Sequence, residues 1–253
     1  MGTLSVDALV IKEVNVGEAD KIITLFARNK GKIQASARGA RNPRSRLVAA
    51  TQFLCYSSFV LYKGKELYRV NQCEVIESFY NIRKSIESLS YATYFVDLAS
   101  EVMKEGYGDN NLLKLLLNTL YVLSNNKKDP MLLKSIYELR LMSLIGYAPN
   151  LLACVHCGGS GERMFFNSIS GGLVCDNCVE HLNGRSDLAV SEGTLSAMRY
   201  ILYSKMNRLY SFEVSPRVQK ELEAITKDFL LTHIGKEIKS LKYLENIIGK
   251  QNY

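Results

Sequence analysis

The sequence lacks the features of an exported or membrane-spanning protein. No basic leader precedes a long apolar run at the N-terminus, so we expect no secretory signal and a cytoplasmic protein without a membrane partner. The most apolar stretch, residues 112–123, is interrupted by Lys114, Asn118 and Thr119. It falls short of the roughly 20 residues that cross a bilayer. We predict a buried helix there.

Motifs of common enzyme classes are also missing. The sequence contains no Walker loop, no Gly-x-Ser-x-Gly elbow and no dinucleotide-binding fingerprint. His233 is the only histidine outside the cysteine-rich region, and it falls inside a helical stripe. We therefore predict that the protein is not an enzyme.

Acidic residues are absent from residues 28–46, where seven basic residues account for the whole formal charge of +7. Guanidinium groups clamp phosphate oxygens, and the turn-rich stretch after Arg38 can follow a phosphate backbone. The alternative is a solvated basic face or a mobile loop. With about five phosphates neutralised, log affinity for a single strand would fall against log salt with a slope of roughly −3.5. The predicted DNA-binding residues are Lys30, Lys32, Arg38, Arg41, Arg44 and Arg46.

The first 79 residues have the pattern of strands. In the third strand Ile33, Ala35 and Ala37 alternate with polar residues, which predicts one buried face. Five short strands favour a small barrel of the OB-fold type, although strand number alone leaves the topology open. The predicted strands are residues 4–12, 20–28, 32–38, 48–62 and 66–79.

Apolar residues recur at helical spacing from Ile82 onward. Capping residues mark the later helices: Asp129 before Pro130, Ser191, and Ser215 before Pro216. The predicted fold class is therefore α+β. Strands over residues 1–79 precede a mainly α-helical domain over residues 80–253.

Four cysteines form two Cys-x2-Cys pairs, Cys154 with Cys157 and Cys175 with Cys178. This spacing is typical of a tetrahedral zinc site. Four thiolates leave no open position for water, so we predict one structural zinc ion. Disulfides or a redox Cys-x2-Cys pair are the alternatives.

Other cysteines and histidines are given lesser roles. His156 and His181 adjoin complete cysteine pairs and are interpreted as spare or supporting groups. Cys55 and Cys73 fall in the strand region and are interpreted as small buried hydrophobes.

Aromatic residues in the strand region could stack on unpaired bases. Each one is individually typical of a core, and we predict that one of the four reaches solvent. The candidates are Tyr56, Phe59, Tyr62 and Tyr68.

A second cluster of lysines near the C-terminus consists of Lys236, Lys239, Lys242 and Lys250. It is interpreted as a complement to helix C-termini, and the alternative is that it extends the DNA path.

Three stretches resemble the bacterial DNA repair protein RecO family, and the resemblance runs over essentially the whole chain. The first is the basic strand and loop ARGARNPRSRL at residues 37–47. The second is GYAPNL at residues 146–151, which leads into the two cysteine pairs, and the third is IKSLKYL at residues 238–244.

The resemblance implies a DNA-binding N-terminal OB-fold over residues 1–79, a mainly α-helical domain over residues 80–253 and a zinc-binding insertion, a zinc knuckle, at about residues 150–184. It also implies a recombination mediator that binds single- and double-stranded DNA and anneals complementary strands. Such a mediator helps RecA to replace the single-strand-binding protein, whose C-terminal tail is one partner, and it works with RecR.

Two alternatives come from other classes of protein. A DNA ligase also combines an OB-fold with four zinc-binding cysteines, but its nucleotide-accepting Lys-x-Asp-Gly is absent. A structural zinc-ribbon protein of the ribosome or the transcription machinery, which binds RNA or DNA, stays open.

Overall fold

A computed structural model describes residues 2–103, 108–179 and 187–251. The chain forms two compact units, Met1–Ser124 and Asn125–Tyr253. The division at residue 79 and the extent of the insertion, whose residues 180–184 lie outside the described part, stay predictions.

Five strands of the first unit form a closed barrel. They are β1 Thr3–Val16, β2 Asp20–Ala27, β3 Gly31–Ala37, β4 Tyr56–Lys63 and β5 Tyr68–Glu77. Their order around the barrel is β1-β2-β3-β5-β4. Neighbouring strands are antiparallel except β3 and β5, whose parallel pairing closes the barrel through Ala35 with Tyr68 and Ser36 with Arg69. This is the OB-type barrel of the predicted α+β fold, which is confirmed.

Alternating side chains fill the barrel. Val10, Leu25 and Ala35 are fully buried in a core to which every strand contributes. The small alanines of β3 suit an interior that five strands leave narrow. Leu9 and Phe26 are paired across β1 and β2 outside this core, yet both are fully buried. The outer side of β1 and β2 is therefore covered by protein.

The predicted strand over residues 48–62 is wrong in its first half. A single helical turn, α1 (Leu47–Ala50), lies there, and β4 begins only at Tyr56. The hydroxyl of Thr51 donates to the carbonyl oxygen of Leu47 at 2.7 Å and stabilises the turn. Leu54 then takes a positive φ of 66°, which redirects the chain. Burial of Ala50 and Leu54 selects this path over an extended one.

Helices complete the first unit. A short 3-10 helix, Tyr80–Lys84, leads into α2 (Ile86–Val102), whose N-cap Ser85 accepts a hydrogen bond from the Ser88 N–H. The next helix, α3 (Asn110–Ser124), confirms the buried helix predicted over residues 112–123. No helix in the described ranges combines the length and the apolar character that crossing a membrane requires.

The helices of the second unit are α4 Pro130–Leu144, α5 Asp176–Val179, α6 Glu192–Tyr203, α7 Pro216–Ile234 and α8 Lys239–Gln251. Their predicted caps are confirmed. Asp129 accepts hydrogen bonds at the start of α4, Ser191 at the start of α6 and Ser215 at the start of α7. Gly235 ends α7 with a φ of 68°, a conformation that glycine adopts without steric cost.

A three-stranded antiparallel sheet, in the order β7-β6-β8, lies within the second unit. Its strands are β6 Met164–Asn167, β7 Gly172–Cys175 and β8 Asp187–Val190. Phe166 of β6 meets Phe229 of α7 edge to face, with ring centroids 5.4 Å apart, and both side chains are buried. This contact packs the sheet onto α7.

Buried charges join the helices of the second unit. Lys134 and Glu138 form an ion pair at 3.1 Å, with side chains 3% and 0% exposed. The hydroxyl of Thr226 on α7 donates to Glu138 at 2.8 Å. Lys134 Nζ also lies 3.9 Å from the carboxylate of Glu223 on α7. Both members of the pair therefore face charged or polar groups of α7.

Glu221 fixes α7 against the start of α6. Its carboxylate accepts hydrogen bonds from the Ser191 N–H at 3.1 Å and from the Thr194 hydroxyl at 2.7 Å. Burial alone raises the pKa of Glu221, but hydrogen bonds from Ser191, Thr194 and Arg217 outweigh it and lower the pKa to about 2. A carboxylate at a helix N-terminus also interacts favourably with the helix dipole.

Replacing Glu221 with Gln should destabilise the protein by about 1–2 kcal/mol at pH 7. Because the folded-state pKa lies below the unfolded value, the carboxylate's contribution is complete above about pH 4.5 and is lost as pH falls towards 2. Thermal unfolding of the wild type and Glu221→Gln between pH 7 and pH 2.5 measures this convergence. Glu162→Gln, at an exposed position outside the helices and strands, is the control. A difference that is constant with pH would contradict the assignment.

Candidate metal centre and nucleic-acid interface

The four cysteines of the two Cys-x2-Cys pairs converge on one point. The sulfur atoms of Cys154, Cys157, Cys175 and Cys178 all lie within 4.8 Å of one another. Cys157 and Cys175 have their sulfurs 3.7 Å apart, and a tetrahedron of zinc–sulfur bonds of about 2.3 Å has edges of about 3.8 Å. The cluster could hold one metal ion, and its four soft ligands fit zinc.

Backbone hydrogen bonds shape the first cysteine turn. The Cys154 N–H donates to the carbonyl oxygen of Gly159, and the Gly158 N–H donates to that of Cys154, both at 2.9 Å. Gly158 directly follows Cys157 and has a φ of 72°, which lets the chain turn back after the first cysteine pair. The Val155 N–H then donates to the Leu173 carbonyl oxygen at 2.8 Å. This bond ties the first pair to β7, which ends at Cys175.

The turn that joins β6 to β7 is attached to α7. The Ser168 hydroxyl donates to the Asp228 carboxylate at 2.5 Å, and His233 Nε2 lies 3.0 Å from the Ser168 carbonyl oxygen. The His233 ring also packs against Phe229 and Tyr147. His233 therefore supports the hairpin and does not approach the cysteine cluster as a ligand.

The thiols of the cluster differ in acidity. Burial raises the pKa of Cys154, but hydrogen bonds with the backbone at Cys157, Cys175 and His156 outweigh it and lower the pKa to about 6. A hydrogen bond with Cys175, followed by burial, raises the pKa of Cys178 to about 12. The Cys154 thiol thus ionises at lower pH than the Cys178 thiol. Metal binding would displace the thiol protons that remain, because the thiolate is the ligand.

The remaining cysteines and histidines lie outside the cluster or outside the described residues. His156 is exposed and lies 3.3 Å from the Ser170 hydroxyl. His181 falls in the stretch that the structure does not describe. Burial raises the pKa of Cys55 and, to about 11, that of Cys73. The buried Cys55 and half-buried Cys73 agree with their interpretation as small hydrophobes.

Metal analysis of the purified protein should return about one zinc per chain. Cys157→Ser, which changes the most exposed ligand, should lower that value towards zero and reduce the thermal stability, because metal binding contributes to folding. Cys73→Ser in the barrel is the control and should keep its metal. A folded wild-type protein without metal would refute the centre.

The structure separates the predicted DNA-binding residues into groups. Arg38, Arg41, Arg44 and Arg46 are exposed and share the connection between β3 and α1, which we call the arginine loop (residues 38–46). Lys30 is also exposed but lies in the β2–β3 turn. The seven residues of β3 separate it from Arg38, a distance of about 25 Å at roughly 3.3 Å per residue. These residues therefore do not form one compact patch.

Hydrogen bonds to the β1–β2 turn give the arginine loop a defined shape. The Gly39 N–H donates to Asp20 at 2.8 Å, and the Arg41 N–H donates to the Ala19 carbonyl oxygen at 2.9 Å. The Arg41 guanidinium donates to the carbonyl oxygen of Gly17 at 2.8 Å. Within the loop, the Asn42 side chain accepts from the Arg44 N–H. The loop is therefore ordered before any ligand binds.

The other two lysines lie near the helices of the first unit. Lys32 Nζ donates to the Ser100 carbonyl oxygen at 3.2 Å, in the last turn of α2. Asn29, beside Lys30, exchanges hydrogen bonds with Asn110 at the start of α3. Gly108 lies so close to the backbone of Asn29 and Lys30 that a Cβ atom would overlap it. The β2–β3 turn is therefore docked on the chain that leads into α3.

Lys32→Ala should lower the stability of the first unit by about 0.5–1 kcal/mol, because a cation at a helix C-terminus satisfies a terminal carbonyl group. Urea denaturation followed by circular dichroism measures the loss. Lys30→Ala removes the same charge from an exposed turn position and is the control. Equal stability of the two variants would show that the contact with Ser100 contributes nothing.

Sequence reasoning missed several charged contacts. Arg69 lies beside Tyr62 on the outer face of the barrel, which follows from strand register and not from local sequence. Lys128 is buried against Glu213, at 2.7 Å. Among the C-terminal lysines, Lys242 pairs with Glu237 at 2.8 Å, and the Lys250 side chain lies outside the described part. Glu213 is distant from Lys128 along the chain, so no local pattern indicates that pair.

Comparison with known proteins identifies the family. A family model described as "Recombination protein O N terminal" matches residues 1–79, and one described as "Recombination protein O C terminal" matches residues 83–242. Relatives named DNA repair protein RecO include one from Acetivibrio thermocellus, 45% identical over 98% of each chain. The relative from Alkaliphilus metalliredigens is 33% identical over 92% of this chain and 94% of its own length. The relative from Thermoanaerobacter sp. is also 33% identical, over 98% of this chain and 99% of its own length. With both of its halves matched, the chain belongs to the RecO family of DNA repair proteins.

Proposed function

We propose that the protein binds single- and double-stranded DNA through its barrel and anneals complementary strands as a recombination mediator. The observation that carries this proposal is the arginine loop, in which four exposed arginines stand on a backbone fixed by hydrogen bonds. Family membership adds the repair context.

The ordered loop is suited to phosphate binding. Ordering a loop during association costs free energy, and a loop that is already held by Asp20 and Gly17 avoids part of that cost. Guanidinium groups can contact phosphates without reading the bases, so binding by this loop would be independent of sequence. A protein that pairs any two complementary strands needs this property.

The metal centre has a separate role in this proposal. One zinc ion on the four cysteines would close the turns around residues 154–178 and stabilise the second unit, with no catalytic step. We propose that the protein acts with RecR and with the C-terminal tail of the single-strand-binding protein to load RecA. No catalytic residue is assigned.

Replacing Arg38, Arg41 and Arg44 together with Ala should weaken DNA binding and flatten the dependence of log affinity on log salt. Each lost phosphate contact should reduce the slope by about 0.7 for a single strand. Fluorescence anisotropy with a labelled oligonucleotide at several salt concentrations measures both quantities. The triple variant Lys205→Ala, Arg208→Ala and Lys220→Ala removes three exposed charges from the second unit and is the control.

Annealing of complementary oligonucleotides, with and without the single-strand-binding protein, tests the wider function. The wild type should accelerate annealing in both conditions, and the arginine-loop variant should lose this activity. Unchanged binding by that variant would remove the loop from the interface. Tight preference for structured RNA over single-stranded DNA would instead favour a structural zinc-ribbon protein.

A further inference from the structure

One outer face of the barrel is open while another is covered. Leu9 and Phe26, on the outer side of β1 and β2, are fully buried. Lys32, on the outer side of β3, reaches the last turn of α2. By contrast, the outward positions of β4 and β5 include the exposed residues Tyr62 and Arg69. A ligand therefore has access to the barrel surface over β4, β5 and the end of β3 that pairs with β5.

Three outward residues form a row across this open face. The parallel pairing places Ser36 of β3 opposite Arg69 of β5, and the antiparallel pairing places Arg69 opposite Tyr62 of β4. Neighbouring strands are about 4.8 Å apart, so the guanidinium group and the phenol ring project side by side. We call this row the β5 platform (Ser36, Arg69 and Tyr62).

Tyr62 is the aromatic residue of the four candidates that reaches solvent. Its side chain is 42% exposed, whereas Phe59 is fully buried and Tyr56 and Tyr68 are half-buried. This confirms the prediction that one of the four is exposed. The alternation of β4 explains the difference, because Phe59 faces the core and Tyr62 faces outward.

Positive charge surrounds the β5 platform on two sides. Arg38, the first residue of the arginine loop, follows Ser36 by two positions and shares its outward side. Lys63 and Lys65 are exposed in the β4–β5 turn, together with one acidic residue, Glu66. The surroundings therefore favour an anionic chain such as a nucleic acid strand.

A groove of about 440 Å³ lies on the same outer face. Its wall includes Arg46, at the end of the arginine loop, and Val60, the outward residue that precedes Tyr62 by two positions on β4. Gln72 and Ser58 supply an amide and a hydroxyl, and Glu74 supplies a carboxylate. Such groups can hydrogen-bond the edge of an unpaired base, while Arg46 is placed to contact its phosphate.

From this arrangement we infer that the β5 platform stacks an unpaired base of a single strand, with Tyr62 as the aromatic surface and Arg69 beside it. The adjoining groove takes a neighbouring nucleotide, and the arginine loop takes the backbone. Bases in a duplex are already stacked on one another and do not offer their faces. The inference rests on the proposed DNA binding and assigns the distinction between single and double strands to named residues.

Tyr62→Ala should weaken binding of a single-stranded oligonucleotide by about 5- to 150-fold, the range that corresponds to the loss of one base-stacking residue. Binding of a duplex of the same length should change less than twofold. The salt slope should stay as in the wild type, because no phosphate contact is removed. Tyr62→Phe should restore binding, since the ring is kept. Tyr80→Ala, which removes another exposed tyrosine of the first unit, is the control.

A fluorescence experiment tests the stacking contact directly. The chain contains no tryptophan, so Tyr62→Trp introduces a single reporter at the β5 platform. Its emission should be quenched when single-stranded oligo-dT is added and should stay unchanged when a duplex is added. Tyr80→Trp should be insensitive to both.

The outcomes separate the two proposals. If the wild type does not bind single-stranded DNA, the proposed function fails. If the wild type binds but Tyr62→Ala, with wild-type thermal stability, binds equally well, only the inference about the β5 platform is overturned. Equal losses for single strand and duplex would also overturn it, because they would show a general contact and not base stacking.

Discussion

The short parallel pairing between β3 and β5 is the constraint on which the first unit depends. Without Ala35 opposite Tyr68 and Ser36 opposite Arg69, the five strands would form an open antiparallel sheet. Parallel neighbours need a long connection, because the chain must return to the same end of the sheet. Here that connection contains the arginine loop, α1 and β4. Barrel closure and the basic surface are thus consequences of one topological choice.

The candidate metal centre depends on a different kind of support. The turn of the β6–β7 hairpin is attached to α7 through Ser168, and Phe166 of β6 packs on the same helix, while the opposite end of β7 carries Cys175 of the cysteine cluster. The turn end is packed like an ordinary core, and the cysteine end has only a few apolar neighbours, among them Val174 and Met164. A metal ion on the four cysteines would supply the cohesion that such a small core cannot supply.

Sequence patterns predicted the elements whose signals are local. Alternation identified β3, and capping residues such as Asp129 and Ser191 located helix starts. Cysteine spacing predicted the cluster, since each ligand pair lies within one turn. The helical turn α1 was missed because its apolar residues have no periodicity over so short a span. The pairing of Ser36 with Arg69 and the contact of the buried Lys128 with Glu213 depend on segments that are distant along the chain, which no local pattern contains.

Gly108 illustrates how backbone packing can resemble a functional signature. Its Cα lies against the main chain of Asn29 and Lys30, and any side chain at this position would push the β2–β3 turn away from α3. Selection would therefore keep glycine here even if no ligand ever touched it. A glycine that is kept next to a basic turn is easily interpreted as part of a phosphate-binding loop. In this fold the glycine would be kept for a steric reason, because it lets two stretches of main chain approach each other closely.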